Sequence, residues 1–281
     1  MSTVKEVYYG AIAEAKKKGI LSNDIRILVA AELHLSNSAN VLLHLEDEFP
    51  AKTNFFVRFQ RLMDGEPVEY IVSEAKFLQY PLYVDSRVLI PRGETEELVA
   101  LISEKIYDYY DPRNYLVVAD IGTGSGCIAI GLRSLFKNWL ITASDTSEGA
   151  LEVAKKNFAA FSMPINTLLG PSLKPYIDAN MNLDIIVSNP PYIRNKDEVQ
   201  DSVRLYEPES ALYLEEGNNV YEDIFRDYKK VKKGSLLMCF EIGYDLKEYL
   251  TGLMEKYLED YEFEFIEDLN GLDRFLFVYC N

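Results

Sequence analysis

The chain has 281 residues and is poor in several things that would have fixed its chemistry at once. Its three cysteines, Cys127, Cys239 and Cys280, lie far apart and form no Cys-x-x-Cys pair. Neither a disulfide framework nor a zinc ribbon is supported, and all three read as small buried hydrophobes. Only two histidines occur, His34 and His44, in an N-terminal helical stretch without grouped carboxylates or thiols. Histidine catalysis and a metal centre lose support, and no metal is expected. No apolar run approaches the ~18 residues of a membrane span. Lys5, Glu6, Glu14 and Lys16 interrupt the N-terminus where a secretory signal needs an apolar stretch. A soluble, cytoplasmic protein with no membrane attachment is expected.

Positive charge is also scarce, 29 bases against 45 acids, for a net charge of −16. Residues 1–65 carry eight of each, so residues 66–281 carry the remaining 37 acids and 21 bases and with them the whole imbalance. Nucleic acid is held largely by neutralising phosphates with Lys and Arg, so an acidic main part makes a poor tracker of DNA or RNA. A protein partner or a small substrate is expected, with no direct nucleic-acid binding. The 48% hydrophobic and 26% charged composition belongs to an ordinary globular chain of one or two domains.

Hydrophobic periodicity divides the chain. In residues 1–65, Val4, Tyr8, Ile12 and Ala15 share a helical face that Gly19 ends. Ile25, Leu28 and Val29 follow the cap candidates Ser22 and Asn23, and a further helix spans 52–64 with Phe55, Phe56, Phe59, Leu62 and Met63 apolar. This predicts a small helical domain. Residues 66–92 change character: β-branched stretches at 68–72 and 83–90 flank Pro81 and predict a hairpin linker. The third domain, 93–281, opens with a helix over 95–110. Strand-like and helix-like segments then alternate: strands at 116–121, 140–144, 165–169, 183–188 and 235–242, helices to 136 and over 147–161, 220–231 and 246–257, and closing strands at 261–267 and 274–279. Such alternation predicts an α/β fold, a mostly parallel sheet with helices on both faces.

Two motifs carry chemistry. Asp120-Ile-Gly122-Thr-Gly124-Ser-Gly126 follows an apolar strand and opens a helix. Glycines there admit close approach of a ligand to backbone amides at a helix N-terminus. A dinucleotide fingerprint would need glycine at 127, which is Cys; the glycine is at 126 instead, with an acid just ahead of the loop. This variant resembles the first motif of class I S-adenosylmethionine-dependent methyltransferases. Asp145 ends the second strand, 19 residues after Gly126, where an acid can accept both ribose hydroxyls of an adenosine; alternatively it caps the following helix.

Asn189-Pro190-Pro191-Tyr192 ends the buried-strand pattern at 183–188 and should face the same crevice. Two prolines fix two φ angles and remove two donors, leaving carbonyl acceptors in set directions. An arrangement of this kind suits holding a planar NH₂ group before a methyl sulfonium. If the Asn189 oxygen and the Pro190 carbonyl accept both N–H hydrogens, the nitrogen can pyramidalise and aim its lone pair at the methyl carbon. Tyr192 can lie against the flat face of the target group. No strong base is required, since the methylated nitrogen is acidic and loses its proton to water.

With these motifs the sequence resembles the release factor glutamine methyltransferases, the HemK or PrmC family, over nearly its whole length. The resemblance also rests on Glu66-Pro-Val-Glu-Tyr-Ile71, Val88-Leu-Ile-Pro-Arg-Gly-Glu-Thr-Glu96, Asp145-Thr-Ser-Glu-Gly-Ala-Leu151, Glu207-Pro-Glu-Ser-Ala-Leu212, Glu241-Ile-Gly243 and Asp268-Leu-Asn-Gly-Leu-Asp-Arg274. It implies a Rossmann-like class I methyltransferase sheet, a helical N-terminal domain that helps grip the substrate, and a hairpin linker. It implies S-adenosylmethionine as methyl donor and, as partner and substrate, the glutamine of the Gly-Gly-Gln loop in class 1 peptide chain release factors. The candidate cofactor residues are Asp120, Gly122, Thr123, Gly124, Ser125, Gly126, Asp145 and Asn189. Asn189, Pro190 and Tyr192 are the catalytic candidates, and Pro191, Arg92 and Glu94 join them in shaping the substrate pocket or its loop. The chain departs from the family pattern in having Gly93 for proline, Gly170-Pro171-Ser172-Leu173 where a glycine-acid pair is usual, and Gly217-Asn-Asn-Val220 for Asp-Gly-Leu.

Three other readings share parts of this pattern. A ribosomal-protein glutamine methyltransferase uses the same site chemistry. An adenine-specific DNA methyltransferase would use Asn189–Tyr192 on a flipped base, but the acidic main domain opposes it. Its best basic patch, Lys229-Lys230-Val-Lys232-Lys233, reads more simply as a solvated helix C-terminus. A non-catalytic binding protein on the same fold would have no physical reason to keep Asn189, Tyr192 and Asp145 together.

Overall fold

The computed structural model describes residues 2–111, 113–196, 199–214 and 219–281, so Gly217 and Asn218 of the loop before Val220 lie outside the described residues. The chain divides into two units, Met1–Glu74 with Gln200–Tyr206, and Ala75–Val199 with Glu207–Asn281. That division departs from the boundaries read in the sequence. It falls at residue 74 rather than 65, and it returns one segment of the third region to the first.

In the first unit, α1 (Val4–Ala15) starts at a reciprocal cap in which Thr3 and Glu6 bond to each other's backbone amides. It buries Val4, Tyr8, Ala11 and Ala15. In α2 (Ser22–Glu32), Ile25, Leu28 and Val29 are buried, but the cap residue is Leu21, so Ser22 and Asn23 lie inside the first turn. Asn23 accepts from the Arg26 guanidinium at 2.5 Å instead of capping. Within α3 (Phe55–Met63), Phe55, Phe59 and Leu62 point inward while Phe56 is exposed. Residues 68–72, read as a strand from their β-branched side chains, form the helix α4 (Val68–Val72). The reason is burial at helical spacing: Val68 and Ile71, one turn apart, join the core of this unit.

In the second unit a hairpin exists but is shorter and lies between the two stretches expected to form it, β1 (Ala75–Phe77) against β2 (Tyr80–Leu82); residues 83–92 run on without a strand. Helix α5 (Gly93–Lys105) follows. Then come β3 (Val117–Ile121), α6 (Cys127–Leu135), β4 (Leu140–Asp145), α7 (Glu148–Ala160), β5 (Asn166–Leu169), α8 (Lys174–Asp178) and β6 (Leu183–Ser188). Helix α9 (Asp201–Tyr206) is the returned segment, and the Tyr206 hydroxyl donates to the Asp64 carbonyl at 3.2 Å. The unit closes with α10 (Val220–Asp227), β7 (Lys232–Glu241), α11 (Lys247–Tyr257), β8 (Tyr261–Glu267) and β9 (Asp273–Cys280).

The seven strands order as β5-β4-β3-β6-β7-β9-β8. The first five are parallel; β9 inserts antiparallel between β7 and β8. This is the α/β sheet expected. Because side chains alternate across a strand, β6 sends Ile185 and Val187 to one face and Ile186 to the other. On the first face they meet Leu98, Ile102, Ile130 and Phe158 of α5, α6 and α7; on the second, Ile224, Phe225, Leu250 and Met254 of α10 and α11. Cys239 and Cys280 are buried, one on each face. The lysine run does not form one helical end. Lys229 and Lys230 pair with Glu259 and Asp227, whereas Lys232 already begins β7. No helix among the described residues is long and apolar enough to cross a membrane.

Candidate active site

The sheet order reverses around β3, the position where parallel α/β sheets open a crevice at their carboxyl ends. Register makes that crevice specific. Ile121 of β3 is paired with Ser144 of β4 and with Ser188 of β6, so Gly122, Asp145 and Asn189 leave the sheet side by side. The Ser188 hydroxyl ties two of these ends together, donating to the Ile121 carbonyl at 2.7 Å.

On one side of the crevice lies the glycine loop. The amides of Gly122 and Thr123 both donate to the Ser144 carbonyl at 2.9 Å, and the Gly126 amide donates to the Thr123 carbonyl at 2.8 Å. Gly122 and Gly124 have positive φ, 72° and 54°, and an added Cβ at either would meet nothing within 4 Å, so both stand against open space. Gly126 differs. It precedes α6 at φ 85°, and a Cβ there would sit 2.5 Å from the Phe158 ring. Its lack of a side chain serves packing of the loop on α7.

Asp120 and Asp145 both lie at the carboxyl ends of strands, Asp120 one residue before the end of β3 and Asp145 closing β4, but they do different things. Asp120 is fully buried behind the loop, accepting from the Thr123 hydroxyl at 2.6 Å and the Ala129 amide at 3.1 Å. Burial pushes its carboxyl up to about 7. It braces the loop from behind and is not among the residues that line the crevice. Asp145 does line it, holding the Gly124 amide at 3.0 Å and the Ser147 amide at 2.9 Å. Burial raises its carboxyl as well. The helix-capping alternative for Asp145 is met by Ser147 instead, which caps α7 by accepting from the Ala150 amide.

Asn157, buried on α7, fixes the loop from behind. Its amide nitrogen donates to the carbonyls of Ser125 and Tyr83 at 2.8 and 3.0 Å, and its oxygen accepts from the Tyr83 amide at 2.8 Å.

On the other side lies Asn189-Pro190-Pro191-Tyr192. Asn189, Pro190 and Pro191 line the crevice together with Gly122, Thr123, Gly124, Ser125 and Asp145. The Asn189 amide nitrogen donates to the Thr95 hydroxyl at 3.1 Å, and that hydroxyl donates onward to the Glu241 carboxylate at 2.7 Å. The other Glu241 oxygen accepts from the Tyr192 hydroxyl at 3.2 Å. One carboxylate at the end of β7 therefore holds both polar side chains of the tetrapeptide. Burial pushes Glu241 up to about 7, with Arg274 acting in the opposite sense. The Tyr192 phenol is raised by burial first and by Glu241 next. Tyr192 lies behind the crevice, its ring 5.9 Å from the Arg274 guanidinium, and is not among the lining residues.

Arg92 and Glu94 do not line the crevice either. Arg92 forms an ion pair with buried Glu207, whose second oxygen accepts from the Ile90 amide at 3.0 Å. This pair clamps two rim segments whose neighbours, Val88, Leu89 and Pro91 on one and Pro208, Ser210 and Ala211 on the other, do line it. Glu94 is half-buried and adds negative potential at Tyr192 and Glu241. Where the glycine-acid pair is missing, Pro171 and Ser172 form the wall.

Sequence reasoning missed Thr95, Asn157, Glu207 and Glu241. Glu241 carried the signal that exposed Asp145, an acid closing an apolar strand. What the sequence withholds is that β7 lies beside β6. Among the described residues, no group of three or more His, Cys, Asp or Glu is placed to hold a metal ion.

The methyltransferase small domain family matches residues 106–221. The chain is 35% identical over 238 residues to the release factor glutamine methyltransferase of Staphylococcus aureus (strain NCTC 8325 / PS 47), covering 83% of this chain and 84% of the relative. To that of Bacillus subtilis (strain 168) it is 32% identical over 281 residues, covering 98% and 96%. To that of Streptococcus pneumoniae (strain ATCC BAA-255 / R6) it is 38% identical over 223 residues, covering 78% and 77%. Among solved structures, the N-terminal domain of human METTL16 in complex with SAH shares the fold at a TM-score of 0.50 and 17% identity, covering 71% of this chain and 75% of that one. The chain belongs to the release factor glutamine methyltransferase family.

Proposed function

We propose that the chain transfers a methyl group from S-adenosylmethionine to the side-chain amide nitrogen of the glutamine in the Gly-Gly-Gln loop of class 1 peptide chain release factors. The residues present fit the donor. Gly122 and Gly124 leave open space over backbone at positive φ, the N-terminus of α6 follows, and Asp145 offers a carboxylate to ribose hydroxyls at the adjacent strand end. When bound, S-adenosylmethionine supplies a methyl carbon made electrophilic by its sulfonium. The protein supplies position.

The observation that carries this reading is the state of Asn189. Its nitrogen is tied to Thr95, and its oxygen has no partner among the described residues. Together with the Pro190 carbonyl, that oxygen can accept the two hydrogens of a glutamine NH₂. Holding both hydrogens in fixed directions lets the nitrogen lone pair leave conjugation and face the crevice. Pro91, Pro171, Pro190, Pro191 and Pro208 line the crevice, and a proline nitrogen donates no hydrogen bond. Such a wall accepts N–H groups better than it accepts a carboxylate. No base is needed, because the proton leaves the methylated nitrogen to water.

By this reading the protein acts in the cytoplasm on a protein substrate, and the helical unit helps hold the release factor. Incubation of the full chain with purified release factor and S-adenosylmethionine, followed by peptide mass analysis, should show one added methyl on the Gly-Gly-Gln peptide. An unmodified peptide under saturating donor would overturn the reading.

A further inference from the structure

We propose that Thr95 and Glu241 are positioning residues that decide which end of the Asn189 carboxamide faces the crevice. The inference deepens the glutamine-amide reading above and rests on it. A carboxamide has an accepting end and a donating end of nearly the same shape, so packing alone does not choose between them. If Asn189 turned over, its NH₂ group would point at the substrate and repel the N–H hydrogens it has to accept.

The choice is made by counting protons. Thr95, 2% exposed in the first turn of α5, has one hydroxyl hydrogen. That hydrogen goes to Glu241 at 2.7 Å, so toward Asn189 the hydroxyl can only accept. It therefore selects the nitrogen of Asn189, found at 3.1 Å, and the oxygen is left for the crevice. Glu241 is itself committed on both sides, since its other oxygen receives the Tyr192 hydroxyl and its backbone carbonyl receives the Tyr221 hydroxyl at 2.8 Å. The direction of every bond in this chain of groups is set by the carboxylate, the one member that only accepts. Turning Asn189 over would place an accepting oxygen against an accepting hydroxyl inside the protein, a buried mismatch that is costly to leave unmade.

Two variants separate this role from a merely structural one. Thr95→Val keeps shape and removes the hydroxyl; Thr95→Ser keeps the hydroxyl. With the full chain, purified release factor and S-adenosylmethionine, Thr95→Val is expected to lower kcat on the order of 100-fold while leaving the Kd for S-adenosylhomocysteine within about threefold, and Thr95→Ser to recover most of the loss. A second measurement reads orientation without turnover. With S-adenosylhomocysteine present, calorimetry compares binding of the release factor with binding of its Gly-Gly-Gln→Gly-Gly-Glu variant. The wild-type chain should prefer glutamine by about tenfold or more, Thr95→Val should lose most of that preference, and Thr95→Ser should keep it.

Near-normal kcat and preference in Thr95→Val, or equal losses in Thr95→Val and Thr95→Ser, would overturn the positioning role while the glutamine reading stood. Failure of the wild-type chain to methylate or to prefer the glutamine form would bring down that reading, and this inference with it.

Discussion

The two walls of the crevice are built on opposite plans. The glycine loop after β3 presents backbone amides and open space, with Gly122 and Gly124 at positive φ. The proline loop after β6 presents acceptors, and its polar side chains are tied to Thr95 and Glu241. One wall suits an anionic or hydroxyl-rich ligand, the other an N–H donor. The difference teaches that one sheet can carry two walls of opposite polarity, which on the proposed reading hold the donor and the acceptor of a methyl group without a catalytic base.

The sharpest way to break the comparison is to remove the acceptor on the proline wall. Asn189→Ala should reduce methyl transfer by about 10³-fold, the scale of losing an aligned polar group at a reacting centre. Circular dichroism and the melting curve should stay close to wild type. Turnover within tenfold of normal would take Asn189 out of the mechanism. Next in size, the glycine wall should divide into a packing half and a binding half. Gly126→Ala forces a Cβ into Phe158 at φ 85° and should cost about 3 kcal/mol of stability in denaturant titration. Gly124→Ala meets no neighbour and should instead weaken S-adenosylhomocysteine binding with a smaller loss of stability. Similar profiles for the two would show that the loop is not divided in this way. Asp145→Ala, on the same wall, should weaken that binding about 10- to 100-fold, as for a hydrogen bond to a charged group.

The smallest effect concerns pH, and it moves two observables in opposite directions. Burial raises Glu241 and Asp120 to about 7 from their ordinary 4.5 and 3.8. Acids held above their unfolded values favour the folded state fully below those values, and that stabilisation is lost as pH rises through about 7. The melting temperature should therefore fall between pH 5 and 8 in the wild type, and less so in Glu241→Gln. Over the same range kcat should rise, because only the ionised Glu241 is restricted to accepting from Thr95 and Tyr192. Glu94, Arg274 and Tyr192 all act on this carboxyl, and a profile unchanged in Glu241→Gln would assign the titration elsewhere.

Much of the site was legible because its parts are local. A glycine loop between strand and helix, and an acid or an asparagine at a strand end, announce themselves within a few residues, and β6 and β8 match the expected spans at both ends. What escaped depends on partners distant in the chain. Nothing near Glu241 says that β7 lies beside β6, or that Thr95, 146 residues away, delivers its hydroxyl there. Residues 68–72 misled for the same reason, since β-branched side chains favour strands until tertiary packing at helical spacing overrides them. Asp120 was read as a cofactor contact because sequence shows that it stands just ahead of the glycine loop but not which way its carboxyl turns.

Asn157 gives the glycine loop a property that local sequence does not suggest. A single carboxamide rivets the exit of the β1–β2 hairpin to Ser125, using both of its hydrogens and its oxygen. Aspartate would turn an anion on two carbonyls, and leucine would strand three polar groups. The hairpin exit and the glycine turn are therefore expected to open as one cooperative piece. In hydrogen exchange their amides should lose protection together, although more than forty residues of chain lie between them.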